Sequence, residues 1–316
     1  MSTTAISKIA IVGAGLVGRA WAIVYARAGL AVALQDEHAP TLAGVKSLVE
    51  ASLVELQAAG LQDEAPEAVL ARIRTESSLE RALDGAGYVQ ENVSEKIEVK
   101  RAVHAHIGSI AAPGTIQASS TSGIPASAWS EALPTRALCL VAHPINPPHV
   151  IPLVEVCPAP WTAPEVVERV VALQAQVGQV PVVLRKELPG FVVNRLQGAL
   201  LAEAFRLHAE GVASAEDIDK TIRDGLGLRW SFMGPFETID LNAPGGIADY
   251  CQRFGPLYLQ LQREATPREW DAALVAALEQ ERRGALRMDE MATRSAWRDR
   301  RLMALVAHKR GKGRVD

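Results

Sequence analysis

The sequence predicts an α/β fold in which a doubly wound, mostly parallel sheet is followed by an all-α C-terminal region. Three observations carry that prediction. Short β-branched runs alternate with helical patterns through the first half, the rhythm of strands covered by helices on both faces. Glycines cluster at the first strand-to-helix junction, in IAIVGAGLVG. After Arg185 the strand signals nearly vanish and long helical patterns take over. With 316 residues and 48% hydrophobic content, the chain can bury a full core and divide into two domains.

Taken in order, strands are expected at 8–12, 31–35, 88–91, 115–118, 137–142, 152–156 and 180–184. Between them Val99, Val103, Ile107 and Ile110 recur at helical spacing. The run TAPE at 162–165 has the form of a capping box with proline in the first turn, opening a helix that Gly178 closes. KELPG at 186–190 breaks regular structure before a helical pattern at 191–210, so the expected domains are 1–187 and 188–316. A further helix is read at 214–223. The stretch 294–314 carries Arg298, Arg300, Arg301, Lys309, Arg310, Lys312 and Arg314, and reads as a helix ending in a solvated tail. Leu274, Val275 and Leu278 suit either a plain core or a two-fold interface, and a homodimer is the expectation.

Charge and targeting signals narrow the function classes. Against 36 acidic residues stand 33 Lys plus Arg, a net charge of -3 that gives no electrostatic reason to expect nucleic acid. No apolar run is long enough to span a bilayer, and the N-terminal MSTTAISK lacks the features of a secretory signal, so a cytoplasmic enzyme without a membrane partner is expected. Cys139, Cys157 and Cys251 are few and widely spaced, which fits reduced thiols and no metal site.

The glycine-rich junction has a physical reading. Gly13 permits the tight turn, Gly15 lets backbone approach a pyrophosphate, and Gly18 lets the helix sit close to the sheet. Leu16 and Val17, which open that helix, are grouped with them at the cofactor site. A second strand ends at Asp36, 18 residues beyond Gly18, where a carboxylate can accept hydrogen bonds from ribose hydroxyls. A Rossmann-type dinucleotide site follows. Asp36 repels a 2′-phosphate and no arginine follows it closely, so NAD is favoured over NADP.

Farther on, HPINPPHVIPLVEV at 143–156 poses a choice between a proton-handling pair and the stiff corner of a hairpin. His143 and Glu155 are both six positions from His149, so in a symmetric hairpin they lie opposite one another. A carboxylate on one imidazole nitrogen fixes the tautomer, leaving the other to accept a proton. ASSTSG at 118–123 and VNR at 193–195 are two further stretches able to face one cleft. Ser122 can meet a hydroxyl and the Asn194 amide a carbonyl oxygen; a turn or cap for Ser122 and a helix-surface amide for Asn194 are the plainer alternatives.

Together these stretches resemble the L-3-hydroxyacyl-CoA dehydrogenase superfamily, which pairs a dinucleotide domain with a strand-end histidine, an acid twelve residues later, a preceding serine and an asparagine in PGF-x-x-NR. Those positions are His143, Glu155, Ser122 and Asn194, the last within PGFVVNR. The likeness runs over nearly the whole chain and includes MGPFETIDLNA at 233–243. ASSTSG, CLVAHPINPPHVIPLVEV and DGLGLRW are most similar to the lambda-crystallin and L-gulonate 3-dehydrogenase group, whereas the acyl-CoA enzymes carry HFFNP at the histidine. The resemblance implies NAD-dependent oxidation of the 3-hydroxyl of a small free L-3-hydroxy acid, with short L-3-hydroxyacyl-CoA or carnitine as the alternative substrates. It also admits a crystallin-like or NAD-sensing protein without turnover.

Asn146, in HPINP, is placed with the substrate residues. Arg229 in GLGLRW either holds a carboxylate through its guanidinium or is a surface arginine at a helix end. Glu95 and Lys100, in VQENVSEKIEVK, fall at family-like cofactor-binding positions; the alternative is an acid and a lysine on a solvated helix start. His149 stands where the group often has tyrosine.

Overall fold

The structure, a computed structural model, describes residues 6–311. Its sheet contains eight strands: β1 (Lys8–Val12), β2 (Ala31–Gln35), β3 (Ile73–Glu76), β4 (Tyr88–Glu91), β5 (Ile116–Ser119), β6 (Cys139–Pro144), β7 (Leu153–Pro158) and β8 (Val180–Val183). Their order is β3-β2-β1-β4-β5-β6-β7-β8, and every pair is parallel except β6 with β7. The chain thus runs outward from β1 in both directions. That reversal opens a crevice at the carboxyl end of β1, where open α/β sheets bind ligands.

Helices cover both faces, so the central strands are buried on both and do not alternate between buried and exposed residues. Ile9, Ile11, Val32 and Leu34 are buried with Trp21 and Tyr25 of the helix Leu16–Arg27 in the main core. Ala10, Val12 and Val89 pack on Ile107 of the helix Ile97–Ile110, the residue whose spacing predicted it. Burying such a side chain contributes about 1.5–3 kcal/mol.

Two expectations need correction. β3 was not anticipated: its sequence IRTE offers one apolar residue, and as an edge strand it pairs with β2 alone. The helix Pro164–Gln176 has Ala163 at its start and no side-chain cap. Thr162 serves the sheet instead, donating to the Cys139 carbonyl at 2.6 Å and accepting from the Ala159 N–H at 2.8 Å.

Contacts group the chain into two compact units. One compact unit extends through Asn194 and takes in the chain from Arg294 onward; the other is Arg195–Thr293. The helix Met291–Gly311 joins the first unit because Met303 enters its core, with Leu302, Val306 and Ala307 packed against it. Lys312 and Arg314 of the expected tail lie outside the described residues. The second unit is helical, with no strand among the described residues; Ser214 caps its helix Ala215–Lys220 by accepting from the Asp217 N–H. Among the described residues, no helix is long and apolar enough to cross a membrane. Cys139 and Cys157 are free thiols pushed up to about 12, chiefly by burial.

Candidate active site

A cavity of about 550 Å³ lies at the carboxyl ends of β1, β2 and β4, lined by Gly13, Gly15, Asp36, Asn92, Val93 and Val103 among others. Gly13 has φ +93°, and a Cβ there would stand 2.8 Å from the Asn92 carbonyl oxygen. A Cβ on Gly18 would stand 1.8 Å from the Gly13 carbonyl oxygen, so the helix can start here only if both are glycine. Above Gly15 nothing lies within 4 Å of the same point. That opening is what a pyrophosphate needs at a helix N-terminus. The Asp36 carboxylate accepts from the Ala14 N–H at 2.8 Å and the His38 N–H at 2.9 Å, which fixes its direction and leaves a lone pair on each oxygen for ribose hydroxyls. The residues present fit a dinucleotide. A larger hollow of about 680 Å³ beside the starts of β1 and β2 is lined by Lys8, Arg72, Glu76 and Arg81, charges engaged with nearby carboxylates and carbonyls.

At the other end of the sheet the antiparallel β6–β7 pair puts His143 directly across from Glu155. His143 Nδ1 and Glu155 Oε2 are 2.8 Å apart, with 7% and 1% of the side chains exposed. Burial drives the Glu155 carboxyl up, but hydrogen bonds from His143 and from the N–H groups of Val193 and Val192 outweigh it, and the net direction is below the ordinary carboxylate range. Glu155 therefore stays ionised at neutral pH. The ring makes no second hydrogen bond through Nε2 to the described residues and leans on Phe191, centroids 5.5 Å apart.

Phe191 is buried with φ 51°, following Gly190 at φ 76°. This left-handed pair turns the chain so that the N–H groups of Val192 and Val193 both donate to Glu155 Oε1, at 2.8 and 2.9 Å. The helix Val193–Ala209 starts at that point and presents Asn194. Asn194 Nδ2 donates to the Ser122 carbonyl oxygen. Hydrogen bonds thus connect His143, Glu155, the 191–194 turn, Asn194 and Ser122 in series.

Ser122 is neither helix cap nor core residue; its hydroxyl is exposed, and its N–H donates to Glu95 Oε1 at 2.9 Å. Glu95 lies beside this loop, and Lys100 is buried beneath it, bonded to Glu91, Glu95 and Ser119. Asn146 is exposed in the β6–β7 connection. Arg229 is exposed on the short helix Gly227–Trp230 of the second unit. Asn92 and Glu91 were missed by motif reading. Asn92 was findable, because it follows the end of a strand next to β1, the position where such sheets bind ligands.

The 3-hydroxyacyl-CoA dehydrogenase NAD-binding domain model matches residues 8–188, and the C-terminal domain model of the same name matches residues 190–286. The chain belongs to the 3-hydroxyacyl-CoA dehydrogenase family. It is similar to a lambda-crystallin homolog of Bos taurus, 42% identical over 94% of each chain. An L-carnitine dehydrogenase of Pseudomonas sp is 37% identical over 80% of this chain and 78% of that one. Among solved structures, FHMPC 5-dehydrogenase, described as an NAD+ dependent dismutase, superposes with a TM-score of 0.82 at 29% identity, covering 95% of this chain and 97% of its own. The chain is accordingly an NAD-dependent oxidoreductase acting on CH–OH groups.

Proposed function

We propose that this dehydrogenase oxidises the 3-hydroxyl of a small free L-3-hydroxy acid to the 3-keto acid, as an L-gulonate 3-dehydrogenase would. The observation that carries the chemistry is the buried His143–Glu155 pair, whose Nδ1 is engaged while Nε2 is left for the substrate. When bound, NAD supplies the acceptor for the hydride that leaves the carbinol carbon. His143 takes the hydroxyl proton at Nε2, and Glu155 stabilises the imidazolium and holds the ring's orientation. The Ser122 hydroxyl and the remaining amide N–H of Asn194 orient the alcohol oxygen and meet the charge that develops as the carbonyl forms. Asn146, on the same hairpin connection as His143, is assigned to the substrate side.

A free acid is supported by two facts. Arg229 is exposed on the short helix Gly227–Trp230, so its guanidinium is available for bidentate carboxylate binding. Carnitine, from which one similar dehydrogenase takes its name, is a free β-hydroxy acid, which makes it the second reading. Turnover of L-gulonate, L-3-hydroxybutyrate, carnitine and 3-hydroxybutyryl-CoA, followed at the NADH absorbance, tests the assignment. A free acid should have the highest kcat/KM; a preference for the CoA ester overturns it.

We also assign a homodimer held by the second unit, in a reducing, cytosolic setting. The helices Val193–Ala209 and Gly246–Glu264 bury none of their residues within one chain, and Phe232, Phe236 and Leu241 are each more than half exposed. Apolar surface on that scale is a mark of association.

A further inference from the structure

The strands that lead to the serine loop and to His143 run side by side only part of the way. β5 and β6 pair from Gln117 with Cys139 to Ser119 with Val141, and no further. Beyond that point β5 gives way to the loop with Ser122, while β6 continues through His143 in its pairing with β7. With Ser122 and His143 both facing substrate, the reacting hydroxyl belongs in the gap between them. Ladder hydrogen bonds between β5 and β6 stop short of that gap and do not fix its width.

Side chains bridge it instead. Gln90, the third residue of β4, is fully buried. Its Nε2 donates to Ser120 Oγ at 2.7 Å on the β5 side and to the Ala142 carbonyl oxygen at 3.2 Å on the β6 side. Ser120 Oγ also accepts from Trp21 Nε1 at 3.0 Å and donates to Asn92 Oδ1 at 2.7 Å, which uses both its lone pairs and its one proton. On the far side of the amide, Gln90 Oε1 accepts from Tyr88 OH at 2.5 Å and from Tyr25 OH at 3.4 Å, and Gln174 Nε2 donates to Tyr25 OH at 3.0 Å. Burial pushes both phenols well up, so each keeps the proton it donates. A carbonyl oxygen can only accept, so Ala142 decides which way the Gln90 amide faces.

A stable core does not require such a network. Apolar groups of the same shape in place of both partners can be nearly neutral, whereas a fully satisfied polar network specifies one arrangement. What it specifies here is a spacing. Gln90 ties the first residue after β5 to the residue before His143, at the point where the two strands part.

We propose that Gln90 and Ser120 form a hydrogen-bonded floor between the serine loop and the His143 strand and set the separation of the two. They are positioning residues that act through Ser122 and His143, so the proposal rests on the reading of that pair as substrate-facing groups.

The test compares the full-length protein with two variants. Gln90→Met/Tyr88→Phe removes an acceptor and its donor together, so that neither is stranded, and Ser120→Ala cuts the network at its junction. Peptides covering 119–125 and 141–148 should exchange their amide protons about tenfold faster in both, with the β2 peptide unchanged. The kcat for the best hydroxy acid should fall about 10- to 100-fold with KM within about threefold, the result of misplaced reacting groups and not of lost binding. NADH affinity, read by fluorescence titration, should also stay within about threefold, because Asn92 keeps the bond from its Nδ2 to the Gln90 backbone carbonyl at 2.9 Å. In a His143→Ala background either variant should cost less than about threefold more, since spacing to an absent base has no value. Unchanged exchange overturns the proposal, as does NADH binding that weakens in step with kcat, or losses that multiply with His143→Ala. Full turnover in His143→Ala alone is a separate failure that removes the role given to the histidine, while exchange of the two peptides still decides whether the floor holds the strands at their spacing.

Discussion

Glu91, Lys100 and Glu155 in the first unit are at most 1% exposed, whereas Phe232, Phe236 and Leu241 in the second are 68, 74 and 68% exposed. One unit hides charge and the other displays hydrocarbon. In the first, each buried charge is held by oppositely charged or hydrogen-bonding neighbours, which is the condition for keeping it there. The sheet is complete in a single chain, so these groups can be set to fractions of an ångström. In the second, helices present apolar faces that one chain does not cover, the surface the proposed homodimer would use.

The largest expected effect tests the buried half of that contrast. His143→Ala should lower turnover by about 100- to 10,000-fold, the usual contribution of a general base, with NADH affinity nearly unchanged; turnover that survives assigns the proton to another group. The exposed half is tested by Leu257→Glu with Leu261→Glu on the helix Gly246–Glu264, which should weaken self-association by about 30-fold or more, seen by sedimentation. A dimer that persists undiluted would move the interface off this helix. Arg229→Met should raise KM for a free acid about tenfold while leaving the matching ester unaffected; equal effects on both would remove the carboxylate role.

Smaller effects sharpen the comparison. Glu155→Gln leaves an uncharged neighbour at His143 Nδ1 and should lower kcat about tenfold with NADH affinity nearly unchanged. An unchanged kcat would argue against the contact in solution. His149 is held down to about 4, first by burial and then by Arg27, so its imidazole is neutral in the folded chain. The unfolded chain takes up that proton near 6.5, and stability should therefore be lost as pH falls from 6.5 toward 4. In His149→Gln the loss over that window should shrink by about 2–4 °C in Tm. An identical decline in both proteins would assign it elsewhere.

How far the sequence foretold this depends on whether the physics is local. β1, β2 and β4 fall where their β-branched runs predict, and the His143–Glu155 register follows from hairpin symmetry alone. The 191–194 turn was legible only as a proline–glycine break; that its N–H groups would seat on Glu155 depends on strands far away in sequence. Glu91 and His104 read as ordinary polar residues, and Lys100 as a cofactor-binding position or a lysine on a solvated helix start, because burial is set by what the sheet and helix bring over them. β3 and the Thr162 hydroxyl failed for the same reason, since their partners are chosen by neighbouring strands and not by adjacent residues.

The helix that delivers Met303 gives the molecule an order of completion. Translation yields the nucleotide-binding strands early, passes through the whole of Arg195–Thr293, and only afterwards supplies the piece that closes over their core. A ribosome-bound chain halted at Thr293 would carry an open seam beside Leu302's future seat, so the unit begun first is the one finished last.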